Sequence, residues 1–115
     1  MALKVHYFKV IQLHKKGNIV KAFEASGHAG FARFGKDIVC SAISTLMINS
    51  INSIETFTND EIDVVSDDKT GLIRCVFKNE PSSDSQLLVN SLILGLKQIQ
   101  DEYGNKFIDI NYEEV

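Results

Sequence analysis

Gly27-His28-Ala29-Gly30-Phe31-Ala32-Arg33-Phe34-Gly35-Lys36-Asp37-Ile38-Val39-Cys40-Ser41-Ala42-Ile43-Ser44 is the stretch on which the fold turns. Ahead of it apolar residues alternate, as on a strand; beyond it they recur at steps of three or four, as on one face of a helix. From Gly27 to Lys36 three glycines and no period read as a loop. The helix is predicted from Asp37 to about Phe57, with Cys40, Ile43, Met47, Ile51 and Ile54 as its apolar stripe. Asp37 suits the N-cap, which places Cys40 at the third helical position, in the first turn.

Upstream, Leu3 to Leu13 reads as a strand, Lys15 to Asn18 as a turn, and Ile19 to Ser26 as a returning strand, with Val20 and Ala22 alternating with Ile19 and Phe23. Downstream, Asn59-Asp60 breaks the helical pattern. Glu61 to Ser66 and Gly71 to Lys78 follow as strands around the polar turn Asp67–Gly71. Pro81 and Ser82 end that hairpin, and Ser83-x-x-Gln86 has the form of a capping box. The second helix carries the stripe Leu88, Leu92, Leu96, Ile99 and Tyr103, with Gly104 placed to end it. Lys106 to Tyr112 reads as a last strand, with Ile108, Ile110 and Tyr112 on one face. The expected fold is α+β in the order ββαββαβ, a largely antiparallel sheet packed with two helices.

At 115 residues the chain is read as one domain, 1–115. A net charge of −3 and scattered basic residues argue against a nucleic-acid partner. Ser, Asn and Gln interrupt the apolar runs, so no membrane span is expected, and no secretory signal opens the chain. Two cysteines in separate segments suggest free thiols in a reducing cytoplasm.

Cys40 has two readings. Cysteine is commonly buried, and this one falls on the apolar stripe of its helix. Against that, a helix N-terminus favours an anion, the thiolate is the reactive form of cysteine, and a glycine-containing loop precedes it. His28, twelve residues earlier, can fold back to take the thiol proton. By itself it is an ordinary loop histidine; together the two make a nucleophile and its base. Asp37 is the candidate to orient the imidazole and Ser44 the second, and backbone N–H groups of the helix's first turn are candidate donors to an oxyanion. Phe31 and Phe34 either pin the loop or wall a peptide side chain. Cys75, in phase with Ile73 and Phe77, reads as core. His6, His28, Cys40 and Cys75 lack the close spacing of a metal site, and neither phosphate-binding glycine motif is present.

Gly27-His28-Ala29-Gly30 followed by Gly35-Lys36-Asp37-Ile38-Val39-Cys40, with Ser44 beyond, resembles the signature of the bacterial ribosomal-processing cysteine protease family. The order of elements agrees along nearly the whole chain. The resemblance implies a cytoplasmic homodimeric endopeptidase, without metal or cofactor, that removes a short N-terminal extension from a large-subunit ribosomal protein precursor. It implies Cys40 as nucleophile, His28 as general base and Asp37 in support. Gly27, Gly30, Phe31, Phe34, Gly35 and Ser44 are the implied peptide-binding positions, and the loop from Ala29 to Lys36 closes over the peptide. The family often has tyrosine where this chain has Phe31 and Phe34, which removes any role for a loop hydroxyl, and Ser41 stands where a small apolar residue is common. The rival reading is a non-catalytic ribosome-associated module that grips a peptide with the same loop and helix start.

Overall fold

The computed structural model describes residues 9–27, 36–104 and 107–115, with Lys36 and Asp37 described in backbone only. Its elements are β1 (Lys9–Lys16), β2 (Ile19–Ser26), α1 (Lys36–Phe57), β3 (Ile62–Asp67), β4 (Leu72–Phe77), α2 (Ser83–Tyr103) and β5 (Ile108–Glu114). The sheet order is β3-β4-β2-β1-β5. Three of its pairings are antiparallel and the fourth, β1 with β5, is parallel. The order ββαββαβ and the largely antiparallel sheet are as the sequence predicts.

Side chains on successive strand residues point to opposite faces. In β1 this sends Lys9, Ile11 and Leu13 to the buried face and leaves Val10, Gln12 and His14 on the other. The buried face continues through Val20, Phe23 and Ala25 of β2, Cys75 and Phe77 of β4 and Ile108 of β5. Helices α1 and α2 cover it with Val39, Ile43, Met47 and Ile54 and with Val89, Leu92, Leu96 and Ile99. Each large side chain so buried contributes about 1.5–3 kcal/mol. The opposite face carries a polar network in which His14 and Arg74 both reach Glu24, at 3.1 and 3.3 Å.

Several local expectations need correction. The alternation predicted for β2 fails because Lys15 pairs with Val20 while His14 pairs with Ala22. That bulge resets the phase, so Phe23, not Ala22, follows Val20 into the core. The second helix is capped by Ser82, whose Oγ accepts from the Ser85 N–H at 3.2 Å, one residue ahead of the predicted Ser83. Gln86 is therefore not part of a capping box: its amide bridges Val20, accepting from the N–H at 2.9 Å and donating to the carbonyl at 3.0 Å. Asp60 also belongs to this start, accepting from the Ser82 N–H and Oγ at 2.9 and 2.6 Å and from the Ser85 Oγ. Tyr103 is exposed rather than the end of the stripe, and the Gly104 N–H closes the helix on the Gln100 carbonyl at 2.8 Å.

Ile38–Phe57 is long and apolar enough to cross a membrane by length and composition, contrary to the sequence expectation. Its stripe from Val39 to Ile54 is taken up by the core of this fold.

Candidate active site

Helix α1 presents two rows of residues one position apart. Val39, Ile43, Met47 and Ile54 face the sheet, and Val39 is only 1% exposed. Cys40, Ser44, Ile48, Asn52 and Glu55 form the neighbouring row and line a cavity of about 570 Å³. The predicted stripe merged these rows. Its error lies in Cys40, which is partly exposed and flanks the core, while Val39 holds the core position. The cavity-facing row recurs at steps of four and three, a signal present in the sequence but masked by the stronger apolar stripe beside it.

The far wall comes from the second hairpin: Val64, Ser66 and Asp67 of β3, Asp68 and Gly71 in the turn, and Leu72 and Ile73 at the start of β4. Lys9 and Gly27 also line it. Ile48 and Val64 are 49% and 46% exposed, so apolar surface is open to a ligand. Carboxylates of Glu55, Asp67 and Asp68 and the ammonium of Lys9 supply charge. A cleft of this size with mixed lining accommodates several residues of peptide.

Helix α1 begins at Lys36, so Asp37 lies inside its first turn rather than at the N-cap. Cys40 accordingly stands at the start of the second turn, not in the first. The unpaired N–H groups at the helix start belong to residues before it. Of the predicted peptide-binding positions, Gly27 and Ser44 line the same cavity as Cys40. His28, Gly30, Phe31, Phe34 and Gly35 lie outside the described residues, as does the Asp37 side chain. His6 and His28 of the conceivable metal set also lie outside them.

Three backbone features converge at the mouth of the loop. Gly27, the residue before His28, adopts φ +104° and donates its N–H to the Thr70 carbonyl at 3.1 Å. Next to Thr70, Gly71 adopts φ +67°, and a Cβ there would lie 2.5 Å from the Gly27 oxygen. The Gly71 carbonyl accepts from Lys9 Nζ at 3.0 Å. The second hairpin thus braces the residue from which the His28 loop departs. Neither Lys9 nor Gly71 stood out as a site residue in the sequence. The position of Lys9 in phase with Ile11 and Leu13 was the available sign that its side chain points inward.

Cys75 is fully buried, as predicted, and burial, with the Glu55 charge second, pushes its thiol up to about 12. It is unsuited to nucleophilic chemistry. Both cysteines are free.

Comparison with known proteins gives a consistent result. The family model described as Cysteine protease Prp matches residues 9–108. A protein named ribosomal processing cysteine protease Prp from Staphylococcus aureus (strain Mu50) is 31% identical over 87 residues, spanning 76% of this chain and 81% of the relative. Crystal structures of the S. aureus protease are similar too. The complex with a substrate peptide has a TM-score of 0.84 and 25% identity, covering 92% of this chain and all of that one. The complex with a covalently linked product peptide has a TM-score of 0.81 and 26% identity, with the same coverage.

Proposed function

The chain belongs to the cysteine protease Prp family, and we propose that it removes a short N-terminal extension from a large-subunit ribosomal protein precursor, with Cys40 as nucleophile and His28 as general base. It is a ribosomal processing cysteine protease; the precursor's identity and the residue roles are the proposal. The observation that carries the assignment of Cys40 is its place on the cavity row of α1, open to a ligand, while the other cysteine is sealed in the core.

On this reading the peptide lies between α1 and the β3–β4 hairpin, against Ile48 and Val64. His28 removes the thiol proton, and the Cys40 sulfur attacks the scissile carbonyl carbon. The carbonyl π electrons move to oxygen, and donors near the helix start steady the resulting oxyanion. Collapse of that intermediate breaks the C–N bond as His28 returns the proton to the leaving amine. Water, deprotonated by His28, then hydrolyses the thioester and regenerates the thiol. Asp37 supports the imidazole, Ser44 and Gly27 contact the peptide, and the loop carrying Gly30, Phe31, Phe34 and Gly35 closes over it. The enzyme works in the cytoplasm as a homodimer with no cofactor. Two free thiols accord with a reducing compartment.

The test is cleavage of a precursor peptide by Cys40→Ala and His28→Ala proteins whose circular dichroism matches the wild type. Both are expected to lose cleavage. Undiminished cleavage by Cys40→Ala would sink the assignment.

A further inference from the structure

Lys9 is a lysine at a core position. Its residue is 6% exposed, it shares the helix-covered face of β1 with Ile11 and Leu13, and it lines the cavity that contains Cys40. Lysine is almost never buried to this degree without a partner for its charge. Its Nζ donates to the Gly71 carbonyl at 3.0 Å, but that oxygen is neutral. Among the described residues no ion pair includes Lys9. The other charged side chains of the described cavity lining are all negative: Glu55 from α1, Asp67 from the end of β3 and Asp68 from the turn. These carboxylates oppose a thiolate at Cys40, and Lys9 is the one described cation of the cavity that favours it.

We propose that Lys9 is a positioning residue for the protease reaction: its ammonium, anchored on the Gly71 carbonyl, holds the Cys40 sulfur in the thiolate form against the carboxylates of the cavity. This rests on the reading of Cys40 as the nucleophile. Burial pushes the Lys9 ammonium below its ordinary 10.5, and the negative charge of Cys40 pushes it part of the way back. The arrangement also accounts for a lysine being spent on a core position of a central strand, where an apolar residue would pack without penalty.

The experiment measures the rate of iodoacetamide alkylation at Cys40 against pH, by peptide mass spectrometry, in the wild type and in Lys9→Met, Lys9→Gln and Lys9→Arg. Met keeps the length without charge, Gln keeps a donor toward Gly71 without charge, and Arg keeps the charge. For Met and Gln the midpoint is expected to move up by about one pH unit, with about tenfold less alkylation at neutral pH. Arg is expected to restore most of the wild-type profile, and kcat for a precursor peptide to follow the alkylation rate with KM little changed. A folded Met or Gln variant with the wild-type profile overturns the proposal and leaves Lys9 as a prop for the Gly71 turn. Should Met fail to fold, Gln decides alone, since it can still bond the turn. The alkylation profile does not depend on proteolysis, so failure of the protease reading, seen as cleavage by Cys40→Ala, is read separately.

Discussion

Replacing Gly71 with alanine strikes the brace on Gly27, the last described residue before His28. The added Cβ meets the Gly27 oxygen at 2.5 Å, the Gly27 carbonyl carbon at 3.3 Å and Lys9 Nζ at 2.9 Å. The ammonium ends a flexible chain and can yield; Gly27 is backbone. Restoring an ordinary contact of 3.4 Å requires Gly27 and the turn to separate by about 0.9 Å. On the proposed reading of His28 as general base, a displacement near 1 Å passed from Gly27 to the next residue costs about 100-fold in rate. Alanine at φ +67° also adds strain of about 1–2 kcal/mol, a fall of about 4–8 °C in Tm for a domain of this size. Gly17 supplies the control: it has φ +62° with nothing within 4 Å of a Cβ. Gly17→Ala therefore bears the same strain without the collision. Thermal melts of the two variants should agree within a few degrees, while precursor-peptide cleavage falls about 100-fold for Gly71→Ala alone. Equal activity in the two folded variants would refute the argument that the hairpin positions the loop.

Four further outcomes follow from the two thiols and two partly buried carboxylates. Native-state alkylation should modify Cys40 and spare Cys75. Because the Cys75 thiol is raised from 9.0 to about 12, its neutral form contributes stability that is whole below about 9 and lost toward 12, so Cys75→Ala should show a smaller alkaline loss in urea melts than the wild type. Burial raises the Glu24 carboxyl, but hydrogen bonds from His14 and Arg74 more than offset it and hold it below 4.5. Its stability contribution is full above that value and is lost as pH falls through the lowered one, so Glu24→Gln should flatten the acid limb and cost about 1–2 kcal/mol at neutral pH. Asp60→Ala strands the Ser82 and Ser85 donors at the start of α2 and should cost about 1–3 kcal/mol in urea melts, with Asp60→Asn recovering part.

Periodicity carried the fold because the two-residue and three-and-a-half-residue patterns are separated by glycine, asparagine and proline. It placed both helices, the second hairpin and the last strand, whereas β1 runs on to Lys16, two residues into the predicted turn, and Leu3 to Phe8 of the predicted first strand lie outside the described residues. The bulge at Lys21 was invisible because an extra residue in one strand leaves the apolar composition unchanged and shifts only its phase. Ser82, Ser83 and Ser85 are interchangeable as capping letters, and only the approach of Asp60 to Ser82 and Ser85 selects among them. The motif drew attention to Cys40, but its separation from the core row depended on a rotation of one residue around α1. Lys9 and Gly71 are distant in sequence from Cys40 and come to share its cavity only when the sheet is assembled; strand phase shows that Lys9 points inward, but no local spacing shows what it faces.

The parallel pairing of β1 with β5 has a consequence for the order of events in synthesis. The Lys9 N–H bonds to the Phe107 carbonyl at 2.9 Å, and the register from Lys9↔Ile108 to Lys15↔Glu114 unites the first and last described strands. During translation the residues of β1, β2 and α1 emerge long before β5, so one edge of β1 waits unpaired while most of the chain is made. Among the described strands, the one bearing Lys9 is thus secured last. A chain made only as far as α2 lacks both β5 and the Phe107 carbonyl, so that edge of β1 has neither partner until the last described residues are made.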